Sequence, residues 1–117
     1  LTAALDLPAD ELPDHLRQYL AVRLLRTRSV PADVQALERH LERIEGSAEL
    51  VGLEAGLLAS AEGRTGLPEA LRPHLTRPLD SVPGGVIERL IRWRVYGTGA
   101  AIGFLLDRLG TDWLPRL

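Results

Sequence analysis

The sequence contains no cysteine, no methionine and no lysine, and aromatic residues make up only 4% of its 117 residues. Without cysteine the chain has no disulfide framework, no thiol nucleophile and no thiolate ligand for a metal. Every basic residue is arginine, and a formal net charge of -2 provides no basic surface of the kind that binds nucleic acid. Because the chain starts at Leu1 and lacks a start methionine, we expect that a leader, a tag or an upstream domain is missing.

Long hydrophobic runs are also absent. The longest uncharged stretch, VYGTGAAIGFLL at 95–106, is far shorter than the roughly 20 residues that a membrane span requires, and it predicts a buried helical segment instead. No stretch alternates between apolar and polar residues with period two, so β-strands are not expected. The length suits one domain, and we therefore treat 1–117 as a single helical domain.

Helical periodicity and breaker residues predict a compact all-α bundle with three main helices, at 13–28, 32–61 and 86–109. Pro13 suits a first helical turn, Ser29 is a candidate N-cap for the second helix, and Gly110 is suited to end the last. Between 64 and 85, repeated prolines and glycines predict a loop with one short helix around 68–72.

The strongest pattern is an apolar stripe in heptad spacing along the second helix. A stripe of this kind is typical of a helix that packs against another helix over its whole length. It favours a protein-interaction or homodimerisation module, with a partner helix or a second copy as the partner. We call it the heptad stripe, and its members are Val34, Leu37, Leu41, Ile44, Ala48, Val51, Ala55 and Leu58.

Small residues recur every four positions on two helices. Glycine inside a helix costs about 0.5–1 kcal/mol relative to alanine, so several glycines require a compensating gain such as close backbone approach. We therefore predict a helix crossing in which Gly52 and Gly56 of the second helix face Gly99 and Gly103 of the last. A leucine at position 56 should then overpack the crossing. A glycine-lined hole for a ligand is the alternative explanation.

Four glutamates, Glu38, Glu42, Glu45 and Glu49, follow one another at spacings of four, three and four residues. Like charges at this spacing repel by a few tenths of a kcal/mol per pair, so solvent or arginine must offset them. A solvated or salt-bridged face is the interpretation for Glu38 and Glu42. Trp93, three residues before Tyr96, indicates core packing more than a cofactor site.

Two segments resemble parts of a known enzyme family. RIEGSAELVG, at 43–52, is similar to the glutamate helix that follows the His-Glu-x-x-His helix in gluzincin-type zinc metallopeptidases, and WRVYGTGAAIGFLLDRLGTDW, at 93–113, is similar to a later segment of such helical proteins. The resemblance implies that Glu45 is a zinc ligand and that Tyr96 and Arg92 lie near the same cleft.

The chain itself contains no His-Glu-x-x-His sequence, which in this family supplies two zinc ligands and the general base. The resemblance therefore implies a helical portion that follows the metal-binding helix and is not catalytic on its own. Glu45 is expected to bind zinc only with a histidine pair upstream of Leu1. We assign no catalytic residue and no cofactor to the chain alone. The interaction module described above is the alternative function.

Overall fold

The computed structural model describes residues 1–60, 63–78, 81, 84–85 and 90–113, with only the backbone described at 64 and 90–92. These residues form four α-helices and no strand, as the predicted all-α class requires. The helices are α1 (Leu12–Thr27), α2 (Ala32–Leu58), α3 (Leu67–Thr76) and α4 (Tyr96–Arg108). Short 3-10 turns occupy Ala3–Leu5 and Gly63–Gly66, and a π-helical turn, Leu90–Val95, leads directly into α4.

The helix ends show which sequence signals were decisive. Pro13 lies in the first turn of α1, as predicted. Gly110 adopts a φ of +67° and ends α4 in a Schellman motif, with its N–H donating to the Asp107 carbonyl at 2.9 Å and the Thr111 N–H donating to the Leu106 carbonyl at 3.1 Å. The Ser29 prediction is wrong, because Pro31 holds the N-cap position of α2 with no side-chain cap.

Helix α3 corrects the predicted loop. The short helix expected around 68–72 extends over Leu67–Thr76, although Pro73 lies inside it. Leu67 and Leu71 are completely buried and place one face of α3 in the core. Apolar burial at helical spacing therefore outweighs the hydrogen bond that the proline removes. Residues 79–80, 82–83 and 86–89, which include the predicted start of the last helix, lie outside the described residues.

Helix α4 is the centre of the fold. It packs along α2, and α3 and the Ala3–Leu5 turn cover its other sides. Small and large apolar residues of α4 share the core with the other elements. The buried hydrophobic residues are Ala4, Leu5, Leu12, Leu50, Leu67, Leu71, Val95, Ala100, Ala101, Phe104 and Leu105.

Two arginines of the last helical segment bind backbone carbonyls of distant segments. Arg108 donates to the carbonyls of Ala4, Leu5 and Leu7, at 3.3 and 3.0 Å for the first two. Arg94 donates to three carbonyls at and just beyond the C-terminal end of α3, those of His74, Leu75 and Arg77. The Arg94 bonds satisfy carbonyls that the C-terminal end of α3 leaves unpaired, and positive charge at a helix C-terminus is favourable.

The heptad stripe faces away from this core. Five of its six large members are exposed, from 40% for Val34 to 70% for Leu58, and the sixth, Leu41, is partly buried. Gly46 and Leu50 are the buried residues of α2. Leu53 and Leu57 pack against the core beside them. Helix α2 therefore has two apolar faces, and the shorter series Gly46, Leu50, Leu53 and Leu57 is the one that α4 covers. Among the helices described, none is long and apolar enough to cross a bilayer.

Candidate functional site

The close crossing of α2 and α4 is built on Gly46 and Gly99. A Cβ atom added to Gly46 would lie 2.5 Å from the Gly99 Cα, and a Cβ added to Gly99 would overlap the backbone carbonyl of Glu42. Either contact is too short for real atoms, so both positions require glycine. A Cβ at Gly103 would lie 2.9 Å from the Leu50 side chain. The predicted close approach at Gly99 and Gly103 is therefore present.

The partner positions on α2 were predicted wrongly. Gly52 and Gly56 are exposed, and no described atom lies within 4 Å of a Cβ built on either residue. Gly52 stands six residues after Gly46, which at about 100° per residue turns it to another side of the helix. A leucine at position 56 is consequently not expected to overpack the crossing.

The glutamates at 38 and 42 form the polar contact between α1 and α2. Arg23 donates to both carboxylate oxygens of Glu42, at 3.0 Å for Oε1, and also donates to the Tyr19 hydroxyl at 3.0 Å. Arg26 donates to both oxygens of Glu38, at 2.9 and 2.6 Å. The salt-bridged interpretation of these two glutamates is confirmed, with both arginines supplied by α1.

The Arg23–Glu42 pair is shielded from solvent. The side chains keep only 20% and 15% of their exposure. The bidentate bond to Glu42 raises the pKa of Arg23 far above its usual value, against the opposing effect of burial. Burial raises the pKa of the neighbouring Tyr19 hydroxyl, while the Arg23 charge acts to lower it. With both pKa values raised, Arg23 remains charged and Tyr19 remains neutral throughout the neutral pH range.

Glu45 occupies a different setting from Glu42. It is partly exposed and forms no hydrogen bond or ion pair with any residue that the structure describes. Tyr96 is likewise partly buried, and the Arg92 side chain lies outside the described residues. No group of three or more histidine, aspartate or glutamate side chains is placed to hold a metal within the described part of the chain. The assignment of Glu45 as a zinc ligand stays a prediction.

His74 lies where α3 meets α4 and α2. Its ring stacks on Trp93 with the ring centroids 4.4 Å apart and the planes at 13°, and its Nε2 is 3.7 Å from Oε1 of Glu49. The Arg77 guanidinium also lies over the Trp93 ring, 5.2 Å from its centroid. A Cβ at Gly97 would overlap the His74 side chain, so this glycine is what admits the imidazole.

Burial lowers the pKa of His74 below its usual value of 6.5, with Glu49 opposing the shift and Arg77 adding to it. Its Nδ1 is buried without a hydrogen-bond partner among the described residues. This histidine was not singled out from the sequence, because Glu49 and Trp93, its neighbours in the fold, are distant in sequence.

We expect the free energy of unfolding to fall as the pH drops below about 6.5, because His74 binds a proton more readily in the unfolded chain than in the folded one. Because the pKa of His74 is lower in the folded state, its contribution to stability is fully present above the unfolded-state pKa. That contribution is lost as the pH falls through the folded-state pKa. The measurement is urea unfolding between about pH 7 and pH 5. His74→Phe, which keeps a ring against Trp93, should have a flatter profile.

The matched control for this titration is His40→Gln, since His40 is exposed on α2. It should retain the wild-type slope. An unchanged slope in His74→Phe would show that the pH dependence arises elsewhere.

A cavity of about 380 Å³ lies between α1 and the α2–α4 pair. Its walls are mostly apolar and come from both sides, with Leu16 and Leu20 on α1 and Ile102 and Leu106 on α4. Trp113, whose indole N–H donates to Asp107 at 2.6 Å, also lines it. Gly99 and Gly103 contribute to the lining as well. The two explanations offered for the glycines therefore both apply to α4, where the same residues allow the crossing and border a cavity.

A second cavity, of about 450 Å³, lies on the other side of the Tyr19–Arg23–Glu42 cluster, which lines both. It is more polar and is bordered by Arg26, Glu38 and Arg94.

Compared with models of protein families, with characterised proteins and with solved structures, the chain has no significant match.

Proposed function

We propose that the protein is a helical interaction module that forms a homodimer through the heptad stripe of α2. The observation that carries this proposal is the exposure of the stripe on the side of α2 opposite the core. A helix with apolar residues on two faces needs two partners, and within the described chain α4 supplies the partner for one face.

A second copy of the chain is the partner that this surface favours. All eight stripe positions are uncharged, so no partner charge is needed to match them. A heptad seam packs best against another seam of the same period, and a second copy presents one of identical length. Small side chains at Ala48 and Ala55 allow the two helices to approach closely.

The exposed apolar area is sufficient for a moderate dimer. Burying one Val, Leu or Ile side chain completely stabilises by about 1.5–3 kcal/mol, and five of the six large stripe residues are 40–70% exposed. Covering them in two copies would contribute roughly 8–15 kcal/mol, against an association cost of about 4–15 kcal/mol. This balance supports a reversible dimer of modest affinity and not an obligate one.

Ile44→Glu is expected to abolish the dimer, because it places a charge in the middle of the seam where it would be desolvated without a partner. Ile44 is 44% exposed in the single chain, so the folded monomer should tolerate the change. Sedimentation velocity across a range of protein concentrations measures the oligomeric state, and circular dichroism checks that the helices remain.

Leu24→Glu is the matched control, because Leu24 is 65% exposed on α1 and lies off the stripe. It should dimerise like the wild-type chain. A wild-type chain that stays monomeric at millimolar concentration would contradict the proposal, as would a dimer that Leu24→Glu disrupts and Ile44→Glu does not.

A further inference from the structure

The cavity between α1 and the α2–α4 pair combines two features that belong together in a ligand site. Its interior is apolar, with walls from Leu16, Leu20, Ile102 and Leu106, and its volume of about 380 Å³ falls within the range of small-molecule pockets. At the α2 side it is bordered by charged residues. A ligand with an apolar body and one charged end, that is, an amphiphile, would match both features of the cavity.

The charge at that end is positive. Arg39 and Arg43 line the cavity one helical turn apart, and Arg23 lines it as well. Glu42 is the acidic residue among the lining residues, and both of its oxygens already accept bonds from Arg23. Arg39 and Arg43 form no ion pair with a described acidic side chain, and Arg39 reaches only the Gln35 amide oxygen at 3.5 Å.

Two guanidinium groups at this spacing repel each other and are suited to hold one anion between them. Like charges four residues apart on a helix destabilise by a few tenths of a kcal/mol, which a bound anion would relieve. Guanidinium groups also match carboxylate oxygens in bidentate geometry. Glu42 is engaged by Arg23, and no other described acidic side chain pairs with Arg39 or Arg43, so an anion bound between them would come from outside the described chain.

We propose that this cavity binds an anionic amphiphile, a monocarboxylic acid with a single alkyl chain, with its carboxylate at Arg39 and Arg43. One water molecule takes up about 30 Å³ in the liquid, so the cavity holds roughly a dozen non-hydrogen atoms. That corresponds to a carboxylate with about ten carbons in total, the carboxyl carbon included. The volume is too small for a partner helix, and the apolar walls would gain nothing from a free inorganic anion.

This site is separate from the heptad stripe. None of the stripe residues lines the cavity, because the stripe lies on the other face of α2. The ligand and the dimer can therefore be tested independently of each other.

The test is calorimetric titration of the wild-type chain with decanoate below its micellar concentration, with decanol as the uncharged probe of equal length. We expect saturable binding of one decanoate per chain, with decanol weaker by at least about tenfold, as the loss of a charge-assisted bond predicts. The amide signals of Gly99 and Gly103, which line the cavity, should shift in the NMR spectrum during the titration.

Two sets of variants locate the site. Arg39→Gln combined with Arg43→Gln should weaken decanoate binding at least about tenfold and leave decanol unaffected. Leu106→Trp should fill the cavity and abolish the binding of both probes. If Leu106→Trp does not fold, Leu20→Trp on the more exposed α1 fills the same space. Ile44→Glu, designed against the dimer, should bind decanoate like the wild-type chain.

Three results would overturn the proposal. They are the absence of saturable decanoate binding, equal affinity for decanol, and undiminished binding in a folded cavity-filling variant. Acetate or inorganic phosphate binding as tightly as decanoate would also overturn it, since the apolar walls would then have no role.

Discussion

Gly99→Ala is expected to destabilise the protein by about 3 kcal/mol, at the upper end of the usual cost of overpacking. The added methyl group would overlap the backbone carbonyl of Glu42, and a backbone atom cannot move aside as a flexible side chain can. The helix axes would have to separate along the whole α2–α4 contact. Alanine's better helix propensity returns only about 0.5–1 kcal/mol. Chemical unfolding monitored by circular dichroism measures the difference.

Gly52→Ala is the matched control, because it makes the same change on a helix that takes part in the same crossing. No described atom lies within 4 Å of the added methyl group, so only the helix propensity changes. We expect Gly52→Ala to stabilise by about 0.5–1 kcal/mol. If Gly99→Ala were as stable as the wild-type chain, or if Gly52→Ala were destabilised equally, the crossing would not lie at Gly46 and Gly99.

Arg23→Met should lower the free energy of unfolding by about 2–3 kcal/mol, because it leaves the Glu42 carboxylate shielded from water without a partner. Removing one member of a fully buried pair costs about 3–5 kcal/mol, and the 15–20% residual exposure of this pair reduces the loss. Glu42→Leu should have a similar effect. The double variant should recover most of the loss, since replacing both charges with apolar groups removes the unpaired charge.

A double-mutant cycle on Arg23 and Glu42 isolates this coupling, and the Arg26–Glu38 pair provides the comparison. Arg26 is 55% exposed, so its cycle should give less than about 1 kcal/mol. Equal coupling energies for the two pairs would show that the shielding of Arg23 and Glu42 has no energetic consequence.

The helical class and most helix limits could be predicted because they depend on local signals. Pro13 marks the first turn of α1, and Gly110 ends α4, since both act through their own backbone geometry. Helix α3 was underestimated because its prolines are local signals, whereas the burial of Leu67 and Leu71 that overrides them depends on α4 and α2.

The orientation of α2 could not be predicted from its periodicity. The heptad stripe is longer and more regular than the series Gly46, Leu50, Leu53 and Leu57, yet the shorter series is the one in the core. The deciding interaction is the fit between Gly46 and Gly99, which are far apart in sequence. The glutamates beside this inner face are tolerated because α1 places Arg23 and Arg26 opposite them.

For the candidate site, too, the features that depend on local signals could be predicted, and those that depend on residues distant in sequence could not. The closeness of Gly99 and Gly103 to a neighbouring helix was correctly inferred from the cost of glycine in a helix. The cavity that they border was offered only as an alternative, because its other wall comes from α1. The His74–Trp93 stack joins residues 19 positions apart across a stretch of prolines, and no sequence pattern pairs them.

The bonds from Arg108 to the carbonyls of Ala4, Leu5 and Leu7 join residues that are 101 to 104 positions apart. Individual helices form within about a microsecond, but closing so long a loop must come before these bonds stabilise anything. A helical bundle usually folds fast because its contacts are local, whereas these side-chain hydrogen bonds span nearly the whole described chain. During synthesis, the Ala3–Leu5 turn therefore remains without its partner until α4 has left the ribosome.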